Sequence, residues 1–143
     1  MPTARFLICE KTGRWAAAWR RVLPLDEVKV SELRGFDPCQ RALAELPYSV
    51  VAVEVTRRNL SAALTQLVAW RRRFPHAVFL IPADRGLERA NLLLREAGAA
   101  HVVFSPRNLG PTAALIRRHL AAAPAPAAPL EETIWQTLPW GRK

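Results

Sequence analysis

Short apolar runs alternate regularly with helical patterns along most of this sequence. The runs predict five strands, at residues 5–9, 28–33, 49–55, 77–81 and 100–104, of which the second should be only half-buried. A helical pattern follows each run, and the last one ends near residue 120. Unbroken strand–helix alternation favours a parallel sheet with helices on both faces. Short, right-handed connections then leave 2-1-3-4-5 as the natural strand order, so the chain is predicted to be a doubly wound α/β domain.

Local signals place the helices and their ends. Trp15, Trp19 and Val22 recur at helical spacing and predict the buried face of the first helix. Four further signals mark helix ends. They are Asp37 as an N-cap with Pro38 at the first helical position, Asn59 or Ser61 as the cap of the third helix, Asp84 as the cap of one helix running through residue 97, and Gly98 as the stop of that helix.

Length and composition fit one globular domain. The chain has 143 residues, of which 50% are apolar and 23% charged. Its apolar runs are all shorter than the ~18 residues that a membrane span needs, and the first one is too short for a signal peptide. We therefore expect a cytoplasmic protein that does not enter the membrane. Cys9 and Cys39, the two cysteines, show no local pairing typical of a metal or redox motif.

The composition changes abruptly near residue 121. Residues 1–122 hold the α/β pattern, residues 123–129 form an alanine- and proline-rich linker, and residues 130–143 form a separate segment. The apolar residues of that segment are Leu130, Ile134, Trp135, Leu138 and Trp140. Tryptophan is a frequent interface anchor, so the segment is predicted to bind a protein partner. The alternative is that it folds back over its own domain.

The fifth predicted strand and its flanks carry a resemblance to a known family. Glu96-Ala97-Gly98-Ala99 precedes the strand AHVVF, and Ser105-Pro106 follows it. The arrangement resembles the receiver domain of bacterial response regulators, which carry an alanine-glycine-alanine turn, a strand and a lysine-proline pair. The resemblance covers residues 1–122. It implies a flavodoxin-like, receiver-like fold and a role in signal transduction.

The same resemblance identifies the positions that receivers use for phosphotransfer. In receivers an acidic pair holds Mg²⁺ and an aspartate accepts the phosphoryl group. A hydroxyl and a lysine contact the oxygens of that group. Here those positions hold Glu10 and Lys11, then Glu54, Pro82 and Ser105. Every role is altered or missing, which implies a degenerate receiver, or pseudo-receiver, that is not phosphorylated in the ordinary way. We predict no catalytic residue, no metal and no cofactor.

Polar residues should gather at the carboxyl ends of the strands, where this architecture binds ligands. They are Glu10, Lys11, Glu54, Arg57, Arg58, Asp84 and Ser105. One interpretation is a structural network in which the basic residues neutralise Glu10 and Glu54, because burying unpaired carboxylates is costly. The other is a crevice that binds a small ligand.

The chain is strongly basic, with a formal charge of +9. Three arginine clusters end the first, third and fifth predicted helices, at the edge opposite the crevice, and we call them the basic rim. They are Arg20 and Arg21, then Arg71, Arg72 and Arg73, then Arg117 and Arg118. They either complement the helix dipoles or form a surface for an acidic partner or nucleic acid. No recognition motif is present, so any nucleic-acid binding should be non-specific.

The leading functional hypothesis is therefore a non-catalytic, receiver-like interaction module that acts as an adaptor or regulator. One alternative is a basic regulator associated with nucleic acid. Another is a small-ligand sensor or enzyme that uses the crevice.

Overall fold

The computed structural model describes residues 3–124. The five strands are β1 (Phe6–Cys9), β2 (Val30–Leu33), β3 (Val50–Val53), β4 (Val78–Pro82) and β5 (Ala99–Val103). The five α-helices are α1 (Arg14–Val22), α2 (Phe36–Glu45), α3 (Leu60–Arg73), α4 (Asn91–Ala97) and α5 (Gly110–Ala121). In this part of the chain, no helix is both long and apolar enough to cross a membrane.

All strands are parallel and lie in one sheet of order β2-β1-β3-β4-β5. In register, Phe6 of β1 pairs with Val30 on one side and Val50 on the other. The central strands β1 and β3 are buried along their whole length, whereas the edge strand β2 is partly exposed. Buried parallel strands need apolar side chains on both faces, which explains their continuous apolar runs. The predicted fold and strand order are confirmed.

Helices cover both faces of the sheet. One core cluster joins the sheet to α2, α3 and α4, and the other joins it to α1 and α5. Three fully buried tryptophans anchor these layers: Trp70 on the first side, and Trp15 and Trp19 on the second. The indole N–H groups of Trp70 and Trp19 each find a side-chain acceptor at 3.0 Å. The core is therefore built around large rings whose polar atoms are satisfied.

The first helix only partly follows its predicted pattern. Trp15 and Trp19 are buried as expected, but Val22 is 46% exposed. Val22 is the last residue of α1, where Leu23 turns into extended backbone and takes the buried position instead. The prediction for Val22 was wrong because helical periodicity no longer applies where the helix ends.

Two helix starts also differ from the predictions. Gly35, not Asp37, is the N-cap of α2, so Asp37 and Pro38 lie inside its first turn. Asp84 does precede a helix, but its side chain forms no capping bond. The predicted single helix is instead a 3-10 segment, Arg85–Ala90, followed by α4. Leu87 has non-helical angles there and is buried, so its burial in the core coincides with the break in the helical path.

Candidate functional site

Glu10 follows β1 and is only 3% exposed. Its carboxylate accepts the backbone N–H groups of Trp15 at 3.0 Å and Ala16 at 2.7 Å. Gly13, at φ 83°, makes the left-handed turn between the strand and α1, a conformation that costs glycine little. The acid therefore satisfies two N–H groups of the first helical turn and compensates the positive end of the helix dipole.

Glu54, at the predicted acceptor position, is half-buried. Its carboxylate accepts a long hydrogen bond from the backbone N–H of Lys11, at 3.4 Å. Among the described residues, no side-chain nitrogen of Lys or Arg lies within 4.0 Å of the carboxylate of Glu10 or of Glu54. The predicted ion-pair network is therefore wrong, because backbone N–H groups, rather than cations, bind Glu10.

The loop after β3 is held by Asn59. Its Nδ2 donates to the carbonyl of Glu54 at 2.9 Å, and its Oδ1 accepts the N–H of Thr56 at 2.7 Å. Asn59 does occupy the N-cap position of α3, but its side chain bonds back to the loop and not to the helix. The amide therefore shapes the wall of the site, a role that sequence reasoning missed.

A cleft of about 790 Å³ opens at the carboxyl edge of the sheet, and we call it the carboxyl cleft. Its size suits a small-molecule ligand. Its lining includes residues that the sequence placed at this edge and others that it did not. The predicted ones are Glu10, Lys11, Glu54, Arg57, Arg58 and Asp84, and the others are Cys9, Thr12, Arg34, Gly35, Phe36, Thr56 and Asn59. Four of these residues are basic and three acidic, so the lining has a net positive formal charge, which disfavours a divalent cation.

Two arginines shape this cleft through backbone contacts. Arg34 donates to the carbonyl of Glu10 at 2.9 Å. The guanidinium of Arg57 lies against Gly86, where an added Cβ would stand 2.7 Å from Nη2. The missing side chain of Gly86 lets the arginine approach the 3-10 segment closely. Neither contact leaves a pattern in the sequence, because each joins loops that are distant along the chain.

Neither Pro82 nor Ser105, the last two positions assigned by the resemblance, lines the carboxyl cleft. Pro82 is buried at the end of β4, and its carbonyl accepts the N–H of Val55 at 2.9 Å. Ser105 does not line the carboxyl cleft. It lines a second cleft of about 480 Å³, which we call the arginine cleft, together with Ala18, Arg21, Val22, Arg85, Pro106 and Arg107.

The thiols of Cys9 and Cys39 interact with each other beside the carboxyl cleft. Cys9 lines the cleft, its thiol donates to the carbonyl of Gly35 at 3.3 Å, and both thiols are free and buried. The hydrogen bond with Cys39 lowers the pKa of Cys9, against the opposing effect of burial. The hydrogen bond with Cys9 and burial together raise the pKa of Cys39 far above its ordinary value. Cys39 therefore stays a neutral thiol at physiological pH.

The basic rim lies where predicted along the chain, in the last turns of α1, α3 and α5. Some of its arginines have partners: Arg20 pairs with Glu32 at 3.0 Å, and Arg117 pairs with Glu27 at 3.3 Å. Arg71 donates to a carbonyl of α4. The clusters are divided between the two faces of the sheet, since α3 packs opposite α1 and α5. The predicted partner-binding segment, residues 130–143, lies outside the described residues.

No family model matches this sequence. No curated protein matches it either. Solved structures do match the fold. An atypical orphan response regulator with a phosphorylation-independent regulatory mechanism has a TM-score of 0.67 and 18% identity, over 85% of this chain and 99% of that one. A CheY-like protein, TadZ, from Pseudomonas aeruginosa has a TM-score of 0.64 and 14% identity, over 80% of this chain and 98% of that one.

An orphan response regulator of H. pylori is similar as well, with a TM-score of 0.62 and 16% identity, over 84% of this chain and 99% of that one. All of these identities are low. The likeness therefore shows the fold: this chain has the flavodoxin-like fold of response-regulator receiver domains, as the resemblance implied. One fold can serve many functions, which depend on the residues of its sites.

Proposed function

We propose that this protein is a non-catalytic receiver-like module that acts in the cytoplasm as an adaptor or regulator through protein contacts, without ordinary phosphorylation. The observation that carries the proposal is the Glu10 carboxylate, which is buried against α1 by two backbone N–H groups. Both oxygens of this carboxylate already accept a backbone N–H, and the next residue is Lys11 instead of a second acid. The residues at this position do not fit Mg²⁺.

The other positions support the same conclusion. Pro82 and Ala83 offer no hydroxyl group, and Ser105 lines a different cleft from Glu54. A phosphoryl group on Glu54 would therefore lack the hydroxyl and the lysine that stabilise it in receivers. The atypical regulator of similar fold shows that a receiver fold can regulate independently of phosphorylation. We infer that this chain uses its fold in a comparable way.

We expect no stable phosphoryl adduct when the full chain is incubated with acetyl phosphate and Mg²⁺, because neither the metal nor the transferred group is stabilised. Intact-mass spectrometry measures the outcome. A Glu54→Gln variant, which lacks the carboxylate, is the matched control. A stoichiometric adduct that forms on the natural chain and disappears in Glu54→Gln would contradict the proposal.

We further propose that residues 130–143 provide one protein-binding surface, beyond the linker of residues 123–129. Leu130, Ile134 and Leu138 recur at four-residue spacing, which suits one face of a short helix, and Pro139 would end it. So short a helix is not stable alone in water and would order on docking. In such a helix Trp135 would lie next to that face, and Trp140 follows the proline in the sequence.

The double variant Trp135→Ala/Trp140→Ala should weaken the affinity for a partner recovered in pull-downs by a factor of about 30 if one tryptophan is an anchor and about 1,000 if both are, since an anchor tryptophan typically contributes ~2 kcal/mol or more. Thr133→Ala/Gln136→Ala in the same segment is the control. If the segment instead docks on its own domain, the tryptophan variant should lower the melting temperature. A variant that changes neither partner recovery nor stability would show that the segment is not an anchor.

Nucleic-acid binding by the basic rim has less support. Its arginines are divided between two faces of the sheet, and Arg20 and Arg117 pair with glutamates. A continuous basic surface would be needed to follow a phosphate backbone. The rim is therefore better explained by ion pairs and by cations at helix C-termini.

A further inference from the structure

The arginine cleft gathers positive charge from three separate parts of the chain. Arg21 comes from α1, Arg85 from the start of the 3-10 segment, and Arg107 from the loop after β5. None of the acidic residues that the structure describes lines this cleft. Within residues 3–124, no carboxylate lies within 4.0 Å of any of the three guanidinium groups. A concave surface with charge of one sign attracts counter-ions strongly.

Ser105 adds a neutral donor to the same cleft. Its Oγ accepts the backbone N–H of Arg107 at 3.3 Å. Among the described residues, no acceptor takes the hydrogen of the Ser105 hydroxyl, so that hydrogen remains available to a ligand. The polar lining thus presents guanidinium groups and a hydroxyl donor. A ligand that complements it carries negative charge and several acceptor oxygens.

A phosphate monoester meets these requirements best. It carries a charge of about −1.5 to −2 near neutral pH, with three strongly accepting oxygens. The planar guanidinium fork of arginine matches a phosphate in bidentate hydrogen bonds. Val22, 46% exposed, and Pro106 provide an apolar wall beside the charges, against which the organic part of an ester can pack.

We propose that the arginine cleft binds a small phosphate monoester, with the phosphate between Arg85, Arg107 and Ser105 and the organic part against Val22. The ligand binds intact, so no bond is formed or broken. The cleft volume of about 480 Å³ is within the range of small-molecule sites. The carboxyl cleft suits such a dianion less well, because Glu54 and Asp84 line it.

Calorimetric titration of the full chain with AMP tests the proposal, with adenosine and inorganic phosphate as comparison probes. AMP should bind with a Kd below about 1 mM. Inorganic phosphate should bind more weakly, because it lacks the organic part, and adenosine should not bind. The variant Arg85→Gln/Arg107→Gln should weaken AMP binding by at least about tenfold, since each arginine provides charged hydrogen bonds.

The matched control is Arg41→Gln/Arg72→Gln, which removes the same charge from α2 and α3, on helices of the other face. It should leave AMP affinity within about twofold of the natural chain, because only distant, salt-screened charge is lost. Equal weakening by both double variants would show general charge attraction and overturn the proposal. So would the failure of AMP to bind, or an oligothymidylate that binds where AMP does not.

Discussion

Replacing Glu10 by alanine should destabilise the domain by about 2–4 kcal/mol, because two buried N–H donors lose their acceptor and the N-terminus of α1 loses its negative charge. The carboxylate is the acceptor for the N–H groups of Trp15 and Ala16, at 3.0 and 2.7 Å, and Glu10 is only 3% exposed. Urea unfolding of the full chain at constant pH measures the change. For a domain of this size, the melting temperature should fall by roughly 8–16 °C.

Glu54→Ala is the matched control, since both acids follow central strands at the same edge of the sheet. Glu54 accepts only one long hydrogen bond, from an exposed residue, so its removal should cost less than about 1 kcal/mol. Glu10→Gln keeps one acceptor oxygen, so its loss of stability should lie between those of the two alanine variants. Equal losses for Glu10→Ala and Glu54→Ala would show that Glu10 does not support α1.

Replacing Trp19 by alanine should cost about 3–5 kcal/mol, the usual penalty for removing a buried aromatic ring. Trp19 is fully buried, and its ring packs edge-on against Phe6 with centroids 5.1 Å apart. Its Nε1–H donates to Oγ1 of Thr112 on α5 at 3.0 Å. Trp19 thus joins β1, α1 and α5, and its loss should weaken that whole face of the sheet.

Two further variants separate the ring from its hydrogen bond. Thr112→Val keeps the shape of the side chain but leaves the indole donor unsatisfied, at a cost of about 1–3 kcal/mol. Val22→Ala, at the exposed end of the same helix, should change stability by less than about 1 kcal/mol. Urea unfolding again gives the free energies. A Trp19→Ala variant that unfolds like Val22→Ala would show that this interface is not part of the core.

The sequence alone determined the main strands and helices and the order of the strands in the sheet. A strand buried on both faces needs an uninterrupted apolar run, and an amphipathic helix needs apolar residues at helical spacing, so both leave local patterns. The runs at residues 49–55 and 77–81 correspond to β3 and β4, with a shift of one or two residues at each end. The parallel order then followed from short, right-handed connections.

Helix ends were less predictable, because their signals compete. Asp37-Pro38 is a good start signal, yet α2 begins at Phe36, with Gly35 at φ 110° in front of it. Sequence reasoning also expected a single helix from Asp84, but the path breaks at Leu87, whose side chain is buried. Helix propensities are small free-energy differences, so tertiary packing can override them and shift the ends of a helix.

The candidate site depended most on tertiary structure. The sequence indicated correctly that Glu10 and Glu54 would follow neighbouring strands, because parallel strands end at one edge. It could not show that Glu10 bonds to α1, since that requires the turn at Gly13 to bring the helix over the carboxylate. Nor could the sequence show that Ser105 and Glu54 line two different clefts. Burial follows patterns of apolar residues that are local in the sequence. The hydrogen-bond partners of a polar side chain depend instead on which donors and acceptors the folded chain brings within hydrogen-bonding distance.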